Sequence, residues 1–177
     1  MRGTYALVLG MRRRTRLRVG ALGDVLFEPG FLVYVGSAHG SGGLRARLAH
    51  HCRTAARPHW HLDHVRRRAP ILGAWICSSA ERLEHRWAEA VGSIPGSLVP
   101  APGFGSSDCG CPTHLFGFAR RPSLARVRRA LAEASGGGRP RHLTAEQLLG
   151  FAGVGALAAT AARGRRRAGA SAQAVTA

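Results

Sequence analysis

Two short runs of β-forming apolar residues, 5–11 and 31–35, set the middle of this fold. Both are nearly continuous rather than alternating, the pattern of buried strands. Each carries a glycine and a tyrosine two residues apart. Gly3-Thr4-Tyr5 opens the first run, and Tyr34-Val35-Gly36 closes the second. Between them, residues 15–19 alternate polar and apolar, as a half-exposed strand does, and 25–27 can pair with it. Glu28-Pro29-Gly30 is a turn.

Downstream the period changes. Residues 44–53 turn helical, with Leu44 and Leu48 on one face. Pro58 breaks the chain, 61–68 reads as a short helix, and 71–77 as a strand. Residues 79–91 form an amphipathic helix with Leu83, Trp87 and Val91 as its apolar stripe and Ser79 as its cap. Residues 94–113 are a loop rich in Gly, Pro and Ser, too long for an idle connection. A last strand is expected at 114–119 and a helix at 123–134, followed by a hinge at Ser135-Gly136-Gly137-Gly138. This order predicts an α+β fold, a small, mostly antiparallel sheet flanked by helices. The expected organisation is a main domain over 1–119, a helical extension over 120–162 and a disordered basic tail over 163–177. The apolar stretch 148–162 falls short of the ~20 residues of a spanning helix, so no membrane partner is expected.

Charge narrows the partner. The 177 residues carry 26 arginines, no lysine and only nine acids, for a net charge of +17. High-GC codon usage accounts for arginine in place of lysine, but not for the shortage of acids. A calculated pI near 11.8 is that of a chain that binds polyanions, nucleic acid first among them. Arg12, Arg13 and Arg14, Arg45, and Arg66 with Arg67 are the expected phosphate contacts; such contacts position a backbone without reading sequence. Four cysteines and no export signal fit a reducing compartment, and a cytoplasmic, nucleoid-associated location is expected.

Cleaving a phosphodiester requires a deprotonated, aimed water, a stabilised phosphorane and a neutralised leaving group. A divalent metal serves the last two. Mg²⁺ or Mn²⁺ can be held by one carboxylate with several waters. Glu84, at the edge of the buried helical stripe, is the candidate ligand. Arg47 is the candidate phosphate clamp, because guanidinium pairs bidentately with phosphate oxygens. Tyr5 and Tyr34 would flank the attacking water, with a nearby metal or guanidinium favouring phenolate. Taken singly, each of these four residues also reads as an ordinary strand, surface or helix residue.

Together they resemble the GIY-YIG nuclease superfamily. Gly3-Thr4-Tyr5 stands at its first motif, Tyr34-Val35-Gly36 at its second, and Leu44-Arg45-Ala46-Arg47-Leu48 at the helix that follows. The chain is similar to an uncharacterised branch, domain of unknown function 123, whose members are sometimes fused to DNA glycosylases. His59-Trp60-His61-Leu62-Asp63, Arg82-Leu83-Glu84 and residues 102–109 add to the match. The resemblance implies a three-stranded central sheet flanked by helices, an inserted hairpin over 12–30, and metal-dependent cleavage of DNA, with DNA repair as the setting. It assigns Tyr5 and Tyr34 to the water, Arg47 to the phosphate and Glu84 to the metal. The chain departs from the superfamily in having no asparagine, for which Asp108 or Ser107 can stand in, and in having Ser37 where a lysine is frequent. A domain that keeps the fold and only binds nucleic acid is the alternative.

Histidines and cysteines form a second pattern. Cys109, Cys111 and His114, with a histidine from the 59–61 segment, can build a tetrahedral zinc site. His59, His61 and Asp63 can instead line the cleft, His61 as a catalytic acid or base. A purely structural role, with Trp60 in the core, is the third reading. Gly103 to Ser107 can cradle a phosphate through backbone N–H groups, or be a plain turn.

Overall fold

A computed structural model of the chain describes residues 1–55 and 57–154. The end of the apolar stretch expected at 148–162 and the basic tail at 163–177 lie outside the described residues. Among the described residues, seven strands and five α-helices follow in the order β1 (Gly3–Met11), β2 (Thr15–Arg18), β3 (Asp24–Phe27), β4 (Gly30–Ala38), α1 (Gly43–Cys52), α2 (His61–Arg66), β5 (Ile71–Ser78), α3 (Glu84–Gly92), β6 (Leu115–Phe118), α4 (Leu124–Ala134), β7 (Arg141–Thr144) and α5 (Ala145–Ala152).

The main sheet is antiparallel throughout, in the order β6-β4-β1-β5-β7. It has five strands rather than the three expected. Its fifth, β7, is four residues long with only Leu143 buried, too short and polar to show an apolar period. The β2–β3 hairpin is the expected insertion, and its Gly20–Leu22 turn folds back so that Gly20 lies against His61 and Leu22 against Gly103.

The two apolar runs are the central neighbours of this sheet, and side chains alternate between its faces. Tyr5, Leu7 and Leu9 of β1 share one face with Leu32 of β4 and Ile76 of β5; α1, α2, α5 and the hairpin supply the rest of that core. Ala6, Val8, Val33, Val35 and Trp75 face the other way, against Trp87 of α3 and Leu131 of α4. Beyond the boundary expected at about residue 120, the chain returns to this same sheet: α4 packs on α3 and β7 pairs with β5. The expected hinge is a pinned turn. Ser135 is buried, its Oγ accepts from Trp87 Nε1 at 2.9 Å, and Gly138 N donates to the Ser135 carbonyl.

Ser79 does not cap α3. The helix starts at Glu84 without a side-chain cap, and Ser79 Oγ instead accepts from Glu81 N at 2.9 Å, closing a turn ahead of it. That turn places Glu84 in the first helical turn, where the helix dipole favours a carboxylate.

Candidate active site

Strand register explains the two glycine–tyrosine pairs. Gly36 lies directly opposite Tyr5, and Tyr34 opposite Leu7, so both phenols project from one face of adjacent strands. A Cβ on Gly36 would fall 2.4 Å from the Tyr5 hydroxyl and 2.6 Å from its Cζ. Only glycine leaves room for the ring there. The two tyrosine rings are 6.3 Å apart and tilted by 52°.

Helix α1 covers this face through the buried Leu44 and Leu48. Arg47 and His51 are one turn apart on it and point to the same side. The Arg47 guanidinium stacks over Trp60 at 4.2 Å, and beside it a depression of ≈ 190 Å³ opens between Gly40, Ser41 and His50. The Tyr5 hydroxyl is 2.7 Å from His51 Nε2. His51 is the residue that sequence reasoning passed over. Its place four residues after Arg47 was the available signal.

Glu84 reaches the same end of the sheet from α3. Its Oε1 is 3.4 Å from His114 Nδ1, and it also hydrogen-bonds Ser37 of β4. His114 precedes Leu115, the cross-strand partner of Tyr34. Arg47 and Glu84 therefore act electrostatically on both phenols. All four lie at one end of the sheet, the two phenols and Arg47 on the face that α1 covers and Glu84 at the start of α3, which packs on the opposite face, within electrostatic range of both phenols. Tyr5 lies deepest, at 1% exposure, while Tyr34, Arg47 and Glu84 keep partial access to solvent.

Burial sets the protonation. It pushes the Tyr5 phenol well up, Tyr34 adds to that, and the opposing Arg47 charge does not compensate. Burial and then Glu84 push Tyr34 up as well, against Arg47. Both phenols are neutral near pH 7, so Arg47 alone does not create the expected phenolate. Glu84 moves the other way. Burial raises it, but hydrogen bonds from His114 and Ser37 and the nearby histidines outweigh that and hold it below the usual carboxylate range.

His51 is pushed down to about 3, first by burial and then by His50 and Arg47. This makes stability pH-dependent. Above pH ~6.5 neither the folded nor the unfolded chain charges this imidazole. Below it, the unfolded chain binds a proton that the folded one refuses. Stability thus falls from pH ~6.5 towards 3, by at most about 1.4 kcal/mol per pH unit. Thermal melts between pH 7.5 and 4.5 are expected to show this slope and to flatten in His51→Gln. Part of the remaining slope comes from His61 and His142, which burial also holds below their ordinary value, and, at the acid end, from Asp63 and Glu84. An unchanged slope in the variant would contradict the assignment.

The other candidates are spread out. His61 sits across Phe104 from Tyr34; the Phe104 ring is 5.4 Å from His61 and 6.0 Å from Tyr34. Its Nδ1 accepts from Gly105 N at 3.1 Å, so the ring is oriented by the long loop at the rim. Asp63 caps α2. Its Oδ2 accepts from His59 N and Trp60 N at 2.9 and 3.0 Å, and its Oδ1 pairs with His50 Nε2 at 3.0 Å. Arg66 holds α1 to α2 through the carbonyls of His51 and Ala69, at 2.8 and 2.7 Å. Arg67 donates to the Ala55 carbonyl at 3.3 Å. Arg45 is exposed on α1. Arg12, Arg13 and Arg14 are exposed beyond the far end of β1, about 23 Å from Tyr5 at the rise of an extended strand, and Arg14 pairs with Glu28 at 3.0 Å.

The Gly103–Ser107 segment is a turn rather than a phosphate cradle. Gly103 N bonds the Pro112 carbonyl, Phe104 N that of Ala101, Ser106 N that of Gly103, and Gly105 N is taken by His61. Ser107 and Asp108 are both exposed, and Asp108 lies within electrostatic range of Tyr34. Two groups among the described residues can hold a metal ion through side-chain N, O or S atoms: His50, His51 and Asp63; and His85, Cys109, Cys111 and His114. The histidine beside the cysteines is His85 of α3, not one from the 59–61 segment. No helix among the described residues is long and apolar enough to cross a membrane.

Comparison with curated proteins and with solved structures finds no match. A protein-family model, the Domain of unknown function DUF123, matches residues 4–136, which hold both tyrosines, Arg47, Glu84 and the Cys/His cluster. The match spans most of the chain and all of β1 but its first residue, so the chain belongs to the DUF123 family.

Proposed function

We propose that this protein is a metal-dependent phosphodiesterase of GIY-YIG type that cleaves DNA, with DNA repair as its setting. The observation that carries this reading is that Tyr5, Tyr34, Arg47 and Glu84 lie at one end of the sheet, with Arg47 and Glu84 in electrostatic range of both phenols and Tyr34, Arg47 and Glu84 partly exposed.

Glu84 suits a hard divalent ion. It is an ionised carboxylate, its side chain is 20% exposed, and it sits beside His114 and Ser37 in an otherwise acid-poor chain. Mg²⁺ or Mn²⁺ bound there would supply charge neutralisation at the phosphorane and leaving oxygen. The protein's own groups do the rest. Arg47, held flat by Trp60, offers its N–H fork to two phosphate oxygens. Tyr34, the more accessible phenol, aims the attacking water by hydrogen bonding. Tyr5 shares a hydrogen bond with neutral His51 and fixes the wall against which Tyr34 rests.

Incubation of labelled duplex, flap and abasic DNA with Mg²⁺ or Mn²⁺ tests the reading. Nicking that EDTA abolishes is the expected result. Binding is expected to weaken with salt, at a log–log slope of about −0.9 per phosphate contacted. The depth of Tyr5 favours a second reading, a binding module that keeps the fold without the chemistry. Salt-dependent binding with no cleavage under either metal would select it.

A further inference from the structure

The long loop and α3 bring a second set of ligands together. Cys109, Cys111 and His114 come from the loop, and His85 from the first turn of α3. One donor atom from each lies within 4.8 Å of all the others. Cys109 Sγ is 3.5 Å from His114 Nε2. Zinc–sulfur and zinc–nitrogen bonds of 2.3 and 2.0–2.1 Å place tetrahedral ligand atoms about 3.3–3.8 Å apart. Small side-chain movements close the set onto one ion. His114 is 1% exposed, and its ring is held with Nε2 turned into the cysteine cluster and Nδ1 turned towards Glu84. His85 is exposed and both cysteines are partly so, which leaves a path for an ion to enter.

We propose that His85, Cys109, Cys111 and His114 form a structural zinc site. Two thiolates and two imidazoles are a soft, closed, four-ligand set with no position left for a substrate. The role is therefore to tie residues 109–114 to α3. The site also fixes a tautomer. With Nε2 on zinc, the remaining proton of His114 is on Nδ1, the atom that faces Glu84 Oε1 at 3.4 Å. A carboxylate accepting a hydrogen bond from the N–H of a zinc-bound imidazole is a recurring arrangement that orients both groups. The zinc site stands whether or not the Glu84 end of the sheet cleaves DNA.

Elemental analysis of untagged protein purified without chelator tests the proposal. About one zinc per chain is expected, with release on mercurial titration of the thiols. His85→Ala, at an exposed position, is expected to fold and to lose most of the zinc, as is Cys109→Ser. Cys52→Ala, outside the set, is expected to keep it. Cobalt added to the stripped protein should give the intense visible bands of a tetrahedral thiolate site. Wild-type protein that carries no zinc and takes up no cobalt would overturn the proposal, as would a disulfide between Cys109 and Cys111 or full zinc retention in His85→Ala. Each of these readouts is independent of nuclease activity.

Discussion

Glu84→Ala is expected to reduce metal-dependent cleavage by at least ~10³-fold while DNA affinity stays close to that of the wild type. The magnitude follows from the several kcal/mol that a bound divalent ion contributes to a phosphoryl transition state. The sparing of affinity follows from composition, because removing one of nine acids from a chain of net charge +17 makes it no less attractive to DNA. Glu84 is only partly buried and its neighbours are Ser37 and His114, so the fold should survive. Single-turnover rates and fluorescence-anisotropy titrations on one substrate check both halves. Equal loss of rate and affinity would indicate damage to the binding surface instead.

Arg47→Ala is expected to lower the single-turnover rate by about 10²–10³-fold, the usual effect of losing one preorganised group that stabilises transition-state charge. Arg47→Lys should recover little of it, because a lysine ammonium presents no planar fork to two phosphate oxygens and does not stack on Trp60 in the same way. Two controls separate chemistry from packing. Trp60→Phe keeps an aromatic surface under the guanidinium and should cost far less. Arg45→Ala, at an exposed position on the same helix, should lower affinity and leave the rate at saturating protein near the wild-type value. A rate in Arg47→Ala within about threefold of wild type would remove this residue from the proposed transition state, far below the 10²-fold that such a group contributes.

The parts of this fold that were legible in the sequence are those with a strong period or a run of apolar residues. β1 and β4 announced themselves because both faces of each are covered, and α1, α3 and α4 because each buries one stripe. The glycine–tyrosine spacing carried more than composition: Gly36 is needed opposite Tyr5, and that pairing fixes the register. What stayed hidden was set by contacts distant in sequence. β7 shows no pattern because one buried leucine is enough to hold an edge strand against β5. His51 is one of nine histidines, and only the docking of α1 against β1 selects it as the partner of Tyr5. His85 joins the cysteines because the long loop folds over the start of α3, which no local spacing encodes. Arg66 looked like one more surface cation in a run of three, yet two carbonyls occupy it. That the guanidinium alone does not give a phenolate has a related cause. A sequence places Arg47 near a tyrosine, but it does not reveal that both phenols lose more from burial than they gain from the cation.

The most direct test of the central claim is anomalous diffraction from crystals of the protein with Mn²⁺ and a short DNA bearing a non-hydrolysable linkage. One manganese coordinated by Glu84 is expected, with the blocked phosphate between it, the Arg47 guanidinium and the Tyr34 hydroxyl. A manganese bound instead by His50 and Asp63, or DNA whose phosphates approach neither Arg47 nor Tyr34, would contradict it.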